Sequence, residues 1–225
     1  MYDVRLPNID WLGQRGDLDW MRSADPSKEQ GLILFYGDSS FSRWKEKYHH
    51  RPLEQEIRRK DGSQACLNHG FGTSTAEELL YYYDQLVKPW NPRALVVQAS
   101  GNDRGAGYDA GEVMFLQSRL LDWARHDFPG IRLYLCDRRP TATPRTPSGR
   151  SFGAEYNELV RAYCARHDDT TLVCHADCAA LFEPGFQGDY DHPRRDIFVE
   201  DQVHYNQAGY DIYRDFFRKV LDDIL

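Results

Sequence analysis

Four short groups of residues, far apart along the chain, have the types and the order that acyl transfer needs. Ser39, in Gly37-Asp38-Ser39, is a candidate nucleophile, and Asp201-Gln202-Val203-His204 supplies a carboxylate and an imidazole three residues apart. One turn can hold that pair side by side, so the aspartate fixes the tautomer while the other ring nitrogen faces the serine. Asn68-x-Gly70-x-Gly72 and Gly101-Asn102-Asp103 lie between them and offer amide N–H groups and a carboxamide, the donors that a developing oxyanion requires. Each group alone has a plainer reading. Gly-Asp-Ser is a common turn composition, Asp201 and His204 fit a surface turn before the last helix, and Asn102 fits a turn residue.

The elements around these groups suggest how they could meet. Residues 31–37 form an apolar run too short for a helix and bounded by glycines, which reads as a buried parallel strand ending at Ser39. A helix carrying Trp44 is expected over residues 42–54. Residues 64–68 make a second strand, with Ser74 or Thr75 capping a helix through Leu79, Leu80 and Tyr83 that has Glu77 and Glu78 in its first turn. Residues 94–98 make a third strand running into Ser100-Gly101-Asn102-Asp103. Helix 111–126, strand 131–136, a Pro- and Thr-rich loop over 140–149, helix 154–167 and strand 171–174 follow. Residues 183–200 read as a long surface loop, and a helix capped by Asn206 runs over 207–225. Strands alternating with helices imply a three-layer α/β/α sandwich on a five-stranded parallel sheet, whose carboxyl edge would collect the chemical groups. Residues 1–30, with Trp11, Trp20 and Met21 among charges, read as an arm packing on the body of 31–225 or on a second subunit, which makes a homo-oligomer through that arm a candidate assembly.

Composition narrows the field. The chain has 225 residues, 41% apolar and 28% charged, which suits one globular domain. A formal charge of -7 argues against nucleic acid as the main partner, and Arg58-Arg59-Lys60 is a short solvated cluster. The opening residues lack the apolar core of a secretion signal, and no stretch of ~18 apolar residues suggests a membrane span, so a cytoplasmic protein is expected. Cys66, Cys136, Cys164, Cys174 and Cys178 are odd in number and read as reduced thiols. Cys174-His175-Ala176-Asp177-Cys178 is a poor metal site, because strand alternation sends neighbouring side chains to opposite faces. A second Asp-x-x-His, Asp189 to His192, is followed by Pro193 and reads as loop. The remaining histidines read as structural or surface, with His69 worth watching because it lies in the second group.

Taken in order and at these separations, the four groups resemble the sequence blocks of the SGNH or GDSL hydrolases, over about residues 31–225. The resemblance implies a flavodoxin-like fold and hydrolysis of esters or thioesters without metal or cofactor. It assigns Ser39 as nucleophile and, through its N–H, first oxyanion donor. Asn102 becomes the side-chain donor, His204 the general base and Asp201 its orienting partner. The second block departs from the family at Thr73, where a glycine is usual. Its N–H can still donate, with Gly72 as the fallback, but a β-branched side chain is expected to crowd the acyl pocket. Trp44, Phe71, Tyr108 and Tyr205 flank the blocks; they would suit a short acyl group on a carbohydrate or another polar alcohol, or else they are packing. A thioesterase or lysophospholipase is the nearest alternative, and a binding module on a decayed hydrolase scaffold is the alternative from another class.

Overall fold

The computed structural model describes residues 11–225, with side chains from residue 17 onward. Five strands, β1 (Ile33–Gly37), β2 (Cys66–Gly70), β3 (Ala94–Gln98), β4 (Arg132–Cys136) and β5 (Thr170–Val173), pair in parallel in the order β2-β1-β3-β4-β5. Every residue of β1, β2 and β3 is buried, which is why these strands read as apolar runs rather than as alternating ones. The strand order changes direction between β1 and β3, and crevices for ligands open at the carboxyl ends of strands beside such a reversal.

Alternation along the strands divides the core in two. Leu34, Tyr36, Leu95, Val97, Leu133 and Leu135 face one layer of helices, α1 (Trp11–Ser23), α4 (Ala76–Leu86), α6 (Ala110–Asp127) and α7 (Pro147–Cys164). Ile33, Phe35, Ala94, Val96, Tyr134 and Cys136 face the other, built from α2 (Ser39–Ser42), α3 (Leu53–Glu56) and α8 (Gln207–Val220); α5 (Gly101–Gly105) follows β3. The helix α8 buries Tyr210, Tyr213, Phe216 and Phe217, a stripe spaced three and four residues apart. Thr75 caps α4 in a reciprocal box: Glu78 N–H donates to Thr75 Oγ1 at 3.3 Å and Thr75 N–H to Glu78 Oε2 at 2.8 Å. Asn206 caps α8 through the N–H of Gly209, at 3.1 Å.

Four local expectations differ in the structure. The helix over 42–54 does not form; the chain makes α2, a 3-10 turn and α3 instead. Asn68 from the neighbouring strand donates to the carbonyls of Phe41 at 2.8 Å and Trp44 at 3.4 Å, taking acceptors that a continuing helix would need, and Pro52 supplies no N–H. The helix α8 ends at Val220 rather than running to Leu225, and α7 starts at Pro147, earlier than the periodicity indicates. The stretch 1–30 contains a helix, α1, although its sequence lacks a strong period; Leu18 and Met21, one turn apart, are buried in the core while Trp20 is 53% exposed. Residues 1–10 of the expected arm lie outside the described residues. All five cysteines are free, Cys66 and Cys136 buried and the others partly so. Among the described residues no helix is long and apolar enough to cross a membrane.

Candidate active site

Ser39 stands two residues past the end of β1, at the first position of α2. Asp38 caps that short helix, its Oδ1 accepting from Ser40 N–H at 2.8 Å and from Ser40 Oγ at 2.6 Å. The N–H of Ser39, in a first turn, has no intrahelical acceptor. Glycines at the strand ends make room for this arrangement. A Cβ on Gly37 would lie 2.4 Å from Gln98 O, and one on Gly70 would lie 2.6 Å from both Phe41 Cβ and Ser42 N. Gly37 therefore serves close approach of backbone rather than a special φ.

The turn after the long loop folds around one carboxylate. Asp201 Oδ1 accepts from the N–H groups of Val203 and His204, both at 2.9 Å, with Gln202 in the left-handed region at φ 57°. Its Oδ2 accepts from His204 Nδ1 at 2.6 Å, and Arg43 Nη1 approaches the same oxygen at 3.5 Å. With Nδ1 donating, Nε2 is left as acceptor, and the Ser39 hydroxyl donates to it at 2.9 Å. Residues 165 positions apart are thus joined in one chain of hydrogen bonds. Burial works to raise the Asp201 pKa, but the amide of His204, its imidazole and the amide of Val203 outweigh that and hold it at about 2. For His204, burial dominates and lowers the pKa below 6.5, opposed by the Asp201 hydrogen bond and assisted by Arg139 and Arg43.

Asn102 reaches the same cavity from the end of β3. Its Nδ2 donates to Ser74 O at 3.0 Å, which orients the carboxamide and leaves a second N–H on that nitrogen. Asp103 beside it is fully buried and accepts from the first amide of α4, that of Ala76, at 2.6 Å. Burial pushes its pKa up to about 7, against the amides that hydrogen-bond it. Asn102 and Asp103 together lace the third group to the second. The structure gives Asp103 a role that its sequence position alone did not suggest.

Ser39 and Asn102 line one cavity of about 200 Å³, together with Arg138, Arg139, Thr141 and Thr143. The two arginines were not singled out in the sequence; the available signal was a charged pair directly following a buried strand. Thr73 occupies the left-handed region at φ 58°, where a β-branched residue is unusual. Its side chain is exposed and is not among those lining this cavity. Gly72 is partly buried, near Ser42. Trp44, Phe71, Tyr108 and Tyr205 are all buried and none lines the cavity; they are packing.

The other histidine groups sort by their partners. His175 is fully buried, with Nδ1 against Asp137 Oδ1 at 2.5 Å and Nε2 against Tyr213 Oη at 2.6 Å, so both ring nitrogens are engaged inside the protein. Tyr213 in turn donates to Gln98 Oε1 at 2.9 Å, and Tyr190 donates to Asp137 Oδ2 at 2.7 Å. His192 Nδ1 meets Asp189 Oδ2 at 2.7 Å, repeating the local pairing of Asp201 and His204 in the surface loop, with Phe186 stacked on the ring. His69 is buried edge-on against Trp90 and bonded to Leu86 O at 2.7 Å; burial lowers its pKa to about 4. It does not line the cavity of Ser39.

Residues 35–212 match the model of the GDSL-like lipase/acylhydrolase family. Among solved structures, the chain is similar to a GDSL-like lipase from Bacteroides thetaiotaomicron VPI-5482, at 15% identity and a TM-score of 0.67 over 96% of this chain and 100% of that one. It is also similar to AlinE4, an SGNH-hydrolase family esterase, at 22% identity and a TM-score of 0.58 over 88% and 97%. TesA matches at 17% identity and a TM-score of 0.62 over 86% and 99%. A search of curated protein sequences gives no match. The family match spans most of the chain and includes all four sequence groups, and the parallel α/β/α architecture is that of the SGNH structures: the chain belongs to the GDSL-like lipase/acylhydrolase family.

Proposed function

We propose that this member of an ester-hydrolysing family is a serine esterase acting on short acyl esters, with Ser39 as nucleophile, His204 as general base and Asp201 as its orienting partner. The observation that carries the reading is the continuous hydrogen-bonded chain from Asp201 through His204 to Ser39, ending in a cavity that Asn102 also lines. As Ser39 Oγ attacks the ester carbonyl carbon, its proton passes to His204 Nε2, and Asp201 stabilises the imidazolium without itself taking the proton. The tetrahedral oxyanion is received by Asn102 Nδ2, the N–H of Ser39 and the N–H of Thr73 or, failing that, Gly72. Such donors contribute about 3 kcal/mol each to the transition state. The C–O bond to the alcohol then breaks, His204 returns its proton to the departing oxygen, and an acyl group remains on Ser39. Water, deprotonated by the same nitrogen, attacks this acyl-enzyme; the bond between the acyl carbon and Ser39 Oγ breaks, His204 returns the proton to Oγ, and the acid is released.

The cavity beside Ser39, about 200 Å³ and open on one side, gives room for a short acyl or alcohol group next to the nucleophile. Ser39→Ala is expected to abolish release of para-nitrophenol from short acyl esters and labelling by a fluorophosphonate. Undiminished turnover in that variant would defeat the nucleophile assignment. Failure of the intact protein to label, with no ester turned over, would instead favour a binding module on a hydrolase scaffold.

A further inference from the structure

The cavity shared by Ser39 and Asn102 is walled by two arginines from the segment following β4, Arg138 and Arg139. Arg139 is 7% exposed; its Nη2 donates to Val203 O at 2.7 Å, its guanidinium lies 4.7 Å over the ring of Tyr205, and its Nη1 has no hydrogen-bond partner. Arg138 Nη1 donates to Gly149 O at 2.8 Å. Arg104 packs against the same glycine, its Nη2 donating to Thr146 Oγ1 at 3.0 Å and Ser148 Oγ at 3.1 Å. Arg145, with a side chain 9% exposed, leaves Nε and Nη2 without partners, and Asp191 is 3.9 Å from its Nη1.

Buried cations normally sit beside counter-ions. The acids close to this wall are largely committed elsewhere. Asp38 is the exception: it lines the same cavity, where its charge favours the guanidinium of Arg139 although its Oδ1 also accepts from Ser40, and one carboxylate does not balance the four arginines. Asp201 serves His204 and Arg43, and Asp137 serves His175 and Tyr190. Burial, followed by the fields of Arg145, Arg104 and Arg139, pulls the Arg138 pKa down to about 10, against the opposing field of Asp191. In a chain of net charge -7, composition does not account for four arginines meeting at this place.

We infer that the ester selected here carries an anionic oxygen group, a carboxylate, phosphate or sulfate, on the part of the molecule next to the reacting carbonyl, and that Arg138 and Arg139 receive it. A guanidinium presents paired N–H donors that match two oxygens of such a group, and the low dielectric of a buried wall strengthens the attraction. Arg104 and Arg145 form a second rank that adds positive potential without lining the cavity. The hydroxyls of Thr141 and Thr143 hydrogen-bond each other at 3.2 Å on the same wall, which leaves one of them to donate to a remaining oxygen. This substrate class rests on the reading of Ser39 as nucleophile.

The test compares charged and neutral partners of matched size. Para-nitrophenyl hydrogen succinate against its methyl ester places the charge on the acyl side; acetylated para-hydroxybenzoate against its primary amide places it on the alcohol side. Para-acetoxyphenyl phosphate and sulfate distinguish the kinds of anion. At least one charged compound is expected to exceed its neutral partner by about tenfold or more in kcat/KM, chiefly through KM. Arg138→Gln is expected to pull that ratio towards one, and Arg104→Gln to reduce it less. Because each ratio is taken within one protein sample, partial misfolding of a variant cancels. Equal turnover of charged and neutral partners in every pair, with ratios that neither substitution moves, overturns the inference while leaving the esterase intact. Absence of any turnover and of fluorophosphonate labelling overturns the nucleophile reading, and this inference with it.

Discussion

Asp201→Asn isolates what the carboxylate does, because the change keeps the shape and removes one acceptor. Oδ1 holds the turn through two amide N–H groups at 2.9 Å, while Oδ2 fixes the proton on His204 Nδ1. An asparagine that keeps its oxygen on the two amides must point its NH2 at His204 Nδ1. The imidazole then accepts at Nδ1 and carries its proton on Nε2, where it cannot take the proton of Ser39. Flipping the amide would restore an acceptor for Nδ1 but would lose both turn hydrogen bonds, a cost of about 2 kcal/mol or a population factor of about 30. The loss in kcat is therefore expected to lie between about 30-fold and the roughly 10⁴-fold that the same change causes in serine-protease triads. Nitrophenol release measures the rate, circular dichroism and thermal unfolding report whether the turn survives, and fluorophosphonate labelling should slow in parallel. A folded variant within a few-fold of the parent rate would refute the role of Asp201 as tautomer-fixing partner.

Two further expectations follow from the same geometry. His204 must be neutral to act as a base, and its pKa lies below 6.5, so activity should persist as pH falls through 6.5 and decline only at more acid pH; an acid-limb midpoint of kcat/KM at or above 6.5 would contradict the buried environment. Thr73→Gly relieves a left-handed backbone strain of about 1–2 kcal/mol and adds about 0.4–1 kcal/mol of unfolded-state freedom, so unfolding in denaturant should show unchanged or modestly raised stability, with activity retained since the side chain does not line the cavity. A collapse of activity would show that the threonine itself takes part in the reaction.

Much of the fold is legible because burial leaves a plain signature. The third strand falls on 94–98 as the apolar run indicates, and Thr75 and Asn206 cap the helices that their types and positions announce. The failure at 42–54 has a clear cause. Helical propensity is local, whereas the carbonyls of Phe41 and Trp44 are claimed by Asn68, 24 or more residues away. The aromatics flanking the site were legible as aromatics but not as packing, since residue type does not say which way a ring faces.

The sequence by itself determined the parallel α/β architecture, the chemical identities of the candidate reacting groups and the local pairing of an aspartate with a histidine three residues on. What each pairing faces is visible only in the tertiary structure. Asp189 with His192 and Asp201 with His204 make nearly the same bond, at 2.7 and 2.6 Å, and only the second presents its other nitrogen to Ser39. The arginine wall was decided in the same way, by Arg104, Arg138, Arg139 and Arg145 converging from the segments after β3 and β4. Local spacing fixes a hydrogen bond within one turn; what faces that turn depends on strand order and on the packing of α2 and α8 over the sheet, which no short window of residues encodes.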